Sequence, residues 1–464
     1  MFTLTFEAKS GKPLYQQLYI YIRNLITDGN LKTGDKLPSK RKLAAHLQVS
    51  NSTVENAYAQ LVAEGYITAK EKYGYYVRFL DVVAAKQYKI KATIKNELQK
   101  ETGLLDLKTN AVDTERFPFS VWTKLLRESL SEDKYSLLQP SHPQGDQNLR
   151  LEITRYLKNF RSMDVDAEQI VLGAGMEYLL GLVTELLPEQ SFVLENPCYQ
   201  KLPKILKSKK VPFYPASLDD EGVSVDALYK ANASIAFITP SRHFPLGTVT
   251  SASRRMQLLK WAGEDEKRYI IEDDYDSEYR YQLKPIPPLH SLDKKGKVIY
   301  INTFARTLAP SLRIGYMVLP EKLLKRYQKT LMLYSSTVSR FDQATLQRFL
   351  QNDHYERHLN RMRLVYRSRR DILLSGLADV RKDFSIKASE AGLHLIVTSK
   401  KGISEKSMID EILAKGVKVY KLSDYYLGTT KETNSFVVGY GGVKNEELNR
   451  ATELIVEVLK SMLL

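Results

Sequence analysis

The chain has 464 residues, 43% of them hydrophobic and 27% charged, with a formal net charge of +15 and one cysteine, Cys198. The length exceeds one ordinary domain, the composition is that of a globular protein, and the lone cysteine excludes a disulfide framework. The opening MFTLTFEAKSGK has no signal-peptide pattern, and the most apolar stretch, Leu179 to Leu187, is interrupted by Thr184 and Glu185 and too short to span a bilayer; a soluble cytoplasmic protein without membrane contact is expected.

The positive charge invites a nucleic-acid partner, but the excess of Lys and Arg over the first eighty residues is mild, so the helix pattern has to decide. Leu14, Leu18, Ile22 and Leu25 recur at helical spacing, with Gly29 just past the end. Ser39 caps a short second helix whose inward face is Leu43, Ala44 and Leu47, leaving Lys40, Arg41 and Lys42 outside. A turn over Gln48 to Ser50 leads to a third helix with the apolar face Val54, Ala57, Tyr58 and Leu61. Its first turn exposes Asn51, Ser52 and Thr53, small polar groups suited to base edges and phosphates in a major groove. Strands over Tyr66 to Ala69 and Tyr75 to Val77 flank Lys70, Glu71, Lys72, Tyr73 and Gly74, a hairpin with a basic tip. Residues 81–105 are Lys-rich and read as a solvated linker.

From residue 106 to 464, strand and helix patterns alternate. The strands expected are Ile170–Leu172, Ser191–Glu195, Ser234–Ile238, Tyr269–Glu272, Val298–Asn302 and Ile314–Leu319, which argues a sheet covered on both faces. Four segments carry chemistry. LGAGMEYLL places Gly173, Ala174 and Gly175 at a helix start, an anion seat or an ordinary turn. YIIEDDYDSEY ends a buried strand on Asp273, Asp274 and Tyr275; a carboxylate there needs a cationic or N–H partner, either a protonated ring nitrogen or a structural arginine. In INTFARTLAPSLRIGYMVLP, Thr303 and Arg313 can hold a phosphate. In ENPCYQK, Tyr199 can stack on a planar ring. No metal-ligand pattern is read.

The run LPSKRKLAAHLQVS…TVENAYAQLVAEGYI…GYYV resembles the winged helices of the GntR family. That resemblance implies operator DNA as partner, with Ser39, Arg41, Ser52 and Thr53 as phosphate and base contacts and Lys72 and Gly74 in the wing. Asn51 stands where the family often has Arg, and Asn pairs with adenine where Arg prefers guanine. The series YSLLQPSHPQGDQNLRLEI, LGAG, ENPCY, TPSRHFPLGT, IIEDDYDSE and TFARTLAPSLRIGYM resembles the fold type I aminotransferases in chain order. The whole arrangement resembles the MocR subfamily of GntR regulators.

The fold so implied is a winged helix-turn-helix over 1–80 and, over 106–464, an α/β pyridoxal-phosphate-dependent transferase fold: a large domain with a mainly parallel sheet and a smaller C-terminal α+β subdomain. By the same resemblance Ala174, Gly175 and Met176 would bind the phosphate of pyridoxal 5′-phosphate through backbone N–H groups, and Thr303 and Arg313 would complete that seat. Tyr199 would stack on the ring, Asp273 would pair with its nitrogen, and Tyr275 and Ser241 would reach its hydroxyl. The family's Schiff-base lysine falls at Arg306, and a guanidinium stays protonated and forms no aldimine. Glu177 replaces the Gln common after the glycine turn, and Arg242-His243 replace the usual His-Gln. Of two arginines that bind an effector carboxylate in a regulator of this layout, the positions here hold Lys201 and Gly442.

Three accounts of Arg306 stand side by side. The domain has lost its cofactor and senses another ligand, it holds pyridoxal phosphate non-covalently, or the arginine is a deliberate exchange. The expected protein is a head-to-tail, domain-swapped homodimer that binds operator DNA, senses a small-molecule effector and is not an enzyme. The competing reading is a working aminotransferase carrying a DNA-binding module.

Overall fold

The computed structural model describes residues 4, 6, 11–78, 103–132, 134–281, 286–388, 390–428 and 432–463. The chain forms two compact units, Met1–Gln99 and Lys100–Leu464. Most of the expected linker, 81–102, lies outside the described residues.

In the first unit, α1 (Leu14–Thr27) runs one residue pair beyond its expected end, and α2 (Lys40–Leu47) and α3 (Asn51–Ala63) follow. Val54, Ala57, Tyr58 and Leu61 of α3 are wholly buried against Leu18 and Ile22 of α1 and Leu43 of α2. Burial of those side chains, each worth about 1.5–3 kcal/mol, orients α3. The Ser39 hydroxyl accepts from the Lys42 N–H at 3.3 Å, and Gln48 turns the chain at φ +54°. The hairpin is β1 (Ile67–Lys70) and β2 (Gly74–Val77), antiparallel with Ile67 opposite Val77 and Lys70 opposite Gly74. The Leu37 N–H donates to the Tyr75 carbonyl at 2.9 Å, which lays the segment before α2 along the hairpin's free edge.

The second unit opens with β3 (Leu105–Asp106), a strand that straddles the expected boundary between linker and domain. After α4 (Phe119–Glu132) and α5 (Gln147–Arg161) come the strands of an eight-stranded sheet. They are β4 (Ile170–Gly173), β5 (Phe192–Asn196), β6 (Phe213–Asp219), β7 (Gly222–Val223), β8 (Ile235–Ile238), β9 (Tyr269–Asp273), β10 (Val298–Thr303) and β11 (Gly315–Val318). Their order is β4-β11-β10-β9-β8-β5-β6-β7, with β7 and β11 antiparallel to their neighbours and the rest parallel. Both faces are covered, as the unbroken apolar runs require. Phe192, Leu194, Ile271 and Ile301 point into one core, and Val193, Ala236, Ile270 and Val298 into another. A separate four-stranded antiparallel sheet near the C-terminus includes His394–Ser399 and Ser435–Gly439.

Parallel strands end together. The carboxyl ends of β4, β5, β8, β9 and β10 therefore share one margin of the large sheet, which is where open α/β sheets take ligands.

Candidate functional site

At that margin lies a cavity of about 240 Å³. Its lining includes Gly175, Met176, Tyr199, Lys201, Asp273, Tyr275, Thr303, Arg306 and Arg313, so nine residues expected from separate segments meet in one place. Ala174 and Ser241 are not in the lining. Ser241 is buried with its hydroxyl unpartnered, and Phe244, three residues on, lines the cavity. Phe244 is edge-on to both Tyr199 and Tyr275, at 6.1 and 5.9 Å between ring centres, and makes an aromatic wall.

The floor is acidic. Asp273 ends β9 and makes no side-chain hydrogen bond among the described residues; burial, with Asp274 and Asp276 nearby, pushes its carboxyl up to about 7. The arginine weighed as its partner belongs to the next residue: Arg161 pairs with the buried Asp274, which also accepts from the Tyr300 hydroxyl at 2.7 Å. Glu195, which the sequence reading passed over as a site residue, is the last but one residue of β5 and stands in the same lining. It accepts from the Thr239 N–H at 3.0 Å and hydroxyl at 2.6 Å, yet burial still pushes it up to about 8. A polar residue closing an apolar strand beside Asn196-Pro197 was the available signal.

Arg306 projects from the turn after β10, but its charge is committed. Its Nε donates to Asp276 Oδ1 at 2.8 Å and its Nη2 to Oδ2 at 2.7 Å, and the pairing with Asp276 outweighs burial and keeps it firmly protonated. Asp276 is itself held at φ +55° with its side chain wholly buried. Arg242, fully buried, donates to the Tyr275 hydroxyl at 3.0 Å and stands 3.9 Å from Asp276 and 3.3 Å from the His394 ring. The Tyr275 hydroxyl accepts that bond and keeps its own proton for donation.

The anion seat is also committed. Gly175, at φ +84°, leads into α6 (Met176–Leu186), whose first-turn N–H groups lack helical partners. But the Ala174 N–H donates to Thr337 Oγ1 at 3.0 Å and the Gly175 N–H to the Gly173 carbonyl at 2.7 Å. Arg313 Nη2 donates to Glu177 Oε2 at 2.5 Å, and Lys201 Nζ donates to Glu177 Oε1 at 3.1 Å. Burial alone would raise Glu177, but those two cations hold it below the usual carboxylate range. Pyridoxal 5′-phosphate, tested on this geometry, meets an acidic floor and aromatic wall for its ring. At the phosphate end the Ala174 and Gly175 N–H groups and both cations already have partners within the chain, while Met176 and Thr303 remain in the lining.

In the first unit, Arg41, Asn51, Ser52 and Lys72 are exposed, Thr53 is half-buried, and Ser39 is a cap as well as a surface hydroxyl. Ser50, the missed cap of α3, accepts from the Thr53 N–H at 3.1 Å and lies 2.8 Å from both the Ser52 and Thr53 hydroxyls. Lys40 is half-exposed and pairs with Glu55 of α3. Lys72, at φ +62°, tips the hairpin; Lys70 instead lies at the end of β1 with its ammonium 4.9 Å from the Tyr76 ring centre. Gly74 opens β2 at φ +106°. Among the described residues no group of His, Cys, Asp and Glu is placed to hold a metal ion, and no helix is long and apolar enough to cross a membrane.

Comparison with known proteins adds relatives to this geometry. Residues 14–77 match the family described as bacterial regulatory proteins, gntR family, and residues 102–455 match aminotransferase class I and II. The chain is 37% identical to YdeL of Bacillus subtilis, described as an uncharacterized HTH-type transcriptional regulator, over 94% of each chain. It is 28% identical to the probable rhizopine catabolism regulatory protein MocR of Rhizobium meliloti, over 95% of this chain and 92% of that one. The crystal structure of a multiple substrate aminotransferase from Thermococcus profundus superposes with a TM-score of 0.70 at 25% identity, covering 78% of this chain and 93% of that chain.

Proposed function

The chain belongs to the MocR subfamily of GntR-type bacterial regulators, and from that premise we propose that it is a transcriptional regulator whose aminotransferase-like domain senses a small molecule and does not transaminate. The observation that carries the second half is the Arg306–Asp276 pair. The residue at the place of the expected Schiff-base lysine is an arginine whose two donor edges grip a buried aspartate, so it neither forms an imine nor releases and takes up protons. Any pyridoxal 5′-phosphate that enters is held without a bond to residue 306.

In this reading α3 lies in a major groove with Asn51, Ser52 and Thr53 toward base edges. Arg41 and the Ser39 hydroxyl grip phosphate, and Lys72 and Gly74 form the wing. Tyr199, Lys201, Asp273, Tyr275, Thr303 and Arg313 surround the effector. The working form is a cytoplasmic head-to-tail homodimer on paired half-sites.

The test is operator binding by the full-length protein, with and without candidate small molecules that raise its thermal stability. A ligand that stabilises the protein and shifts operator affinity supports sensing; stabilising ligands that never shift operator affinity overturn it. Borohydride treatment in the presence of pyridoxal 5′-phosphate should leave residue 306 unmodified, and a reduced adduct mapped there ends the non-enzyme reading.

A further inference from the structure

The seat formed by Arg313 and Lys201 already contains an anion, and it is supplied by the chain itself. We propose that Glu177 is a built-in counter-anion which shuts phosphate out of this seat, so that the cavity selects an unphosphorylated small molecule offering an N–H donor or protonated nitrogen to Asp273. This deepens the sensing reading and rests on it for the biological role of the ligand.

The geometry has three parts. First, the two Glu177 oxygens are shared out, Oε2 to Arg313 at 2.5 Å and Oε1 to Lys201 at 3.1 Å, so neither cation faces the cavity alone. Arg313 is also tied by its Nη2 to the Ala174 carbonyl at 3.0 Å, and a Cβ on Gly175 would stand 3.0 Å from that nitrogen. The guanidinium is therefore packed closely over the glycine turn. Second, counting Arg313, Lys201 and Glu177 together leaves the seat with a net charge of about +1, against about −1.5 to −2 on a phosphate ester near neutral pH. A phosphate would have to enter against the carboxylate or expel it from both partners. Third, the other cation in the lining, Arg306, is neutralised by Asp276.

What the cavity leaves uncompensated is acidic. Asp273 has no hydrogen bond among the described residues, and Glu195 engages only one of its oxygens with Thr239. Both stand in the lining, with Phe237, Phe244, Leu202 and Ile205 supplying apolar surface. A ring or short chain with one donor nitrogen matches that surface; a phosphate finds no free cation in it.

Isothermal titration of the full-length protein with pyridoxine and with pyridoxine 5′-phosphate tests this, because the two differ only in the phosphate and neither carries an aldehyde that could bond to a lysine. The wild type should bind the phosphate ester no more tightly than pyridoxine. Glu177→Gln, nearly isosteric and in a half-exposed first turn, should bind the ester about tenfold or more tightly than the wild type does, with pyridoxine affinity unchanged to within about twofold. Adding Arg313→Gln to that variant should remove the gain. The proposal is overturned if the wild type prefers the ester by about tenfold, if Glu177→Gln leaves ester affinity where it was, or if neither protein binds either compound. Operator affinity measured in the same samples separates the two readings. The binding pattern above with an unresponsive operator affinity removes sensing and leaves the role of Glu177 standing, whereas equal operator responses to the ester in both proteins do the reverse.

Discussion

Arg306 and Asp276 form a two-pronged ion pair, Nε to Oδ1 and Nη2 to Oδ2, at 2.8 and 2.7 Å, with the aspartate wholly buried. The pair fixes the wall of the cavity from behind.

Removing the arginine should therefore cost stability before it costs anything else. With Arg306→Ala, Asp276 retains only Arg242 at 3.9 Å, and a buried carboxylate stripped of its main partner costs about 3–5 kcal/mol. Arg306→Lys, one compact ammonium in place of a fork, should lose less. Urea unfolding of both variants gives the comparison, and a wild-type midpoint for Arg306→Ala would show that the pair carries no structural role.

Glu195 makes stability depend on pH in a stated direction. A carboxyl whose folded pKa stands near 8, above the ordinary Glu range, binds more protons folded than unfolded across that interval. Its contribution is thus intact in mild acid and is lost as pH rises toward about 8. Glu195→Gln removes the titration while an amide oxygen can still accept from Thr239. The variant's melting temperature relative to wild type should climb steadily from about pH 5 to about pH 8; a difference that stays flat refutes the burial argument.

On DNA, two classes of residue should separate. Arg41→Ala and Lys72→Ala should each weaken binding about equally on all sequences and reduce the slope of log affinity against log salt by about 1. Asn51→Ala should instead lose about 1–3 kcal/mol of discrimination at one base position while leaving the salt slope alone. Fluorescence anisotropy over a salt series with single-base operator variants resolves both, and an altered salt slope for Asn51→Ala would place that residue on the backbone.

Much of the fold was legible because fully buried parallel strands are written as short unbroken apolar runs. β4, β8 and β11 are buried along their whole length, and all six expected strands exist to within a residue or two. β6 was not read, since its exposed Tyr214 and Pro215 interrupt any such run. The face of α3 was legible for the corresponding helical reason. The site was legible in its members and not in their pairings. Nothing in the spacing says that Arg161 would take Asp274 and leave Asp273 open, because that choice is made by α5 packing under the sheet. The left-handed turn at Asp276 is equally silent, and with it the partner of Arg306.

A glycine pair isolates one contact across the second unit. Gly392 is at φ +80°, and a Cβ there would stand 2.2 Å from the Arg242 guanidinium carbon; Gly402 is at φ +77° with nothing within 4 Å. Alanine at either site bears the backbone strain, about 1 kcal/mol or more, but only Gly392→Ala must also displace Arg242 from Tyr275 and His394. Thermal melts should show the larger drop for Gly392→Ala, and equal drops would mean that Arg242 moves aside freely.

Every cation in the cavity lining has its own counter-ion within the chain: Arg306 has Asp276, and Arg313 and Lys201 share Glu177. These ion pairs are complete within the chain, although two cations share one carboxylate and Asp273 has no hydrogen-bond partner among the described residues. Emptying the cavity therefore breaks no ion pair of its lining, and the wall that Arg306 and Asp276 build stands without a bound molecule.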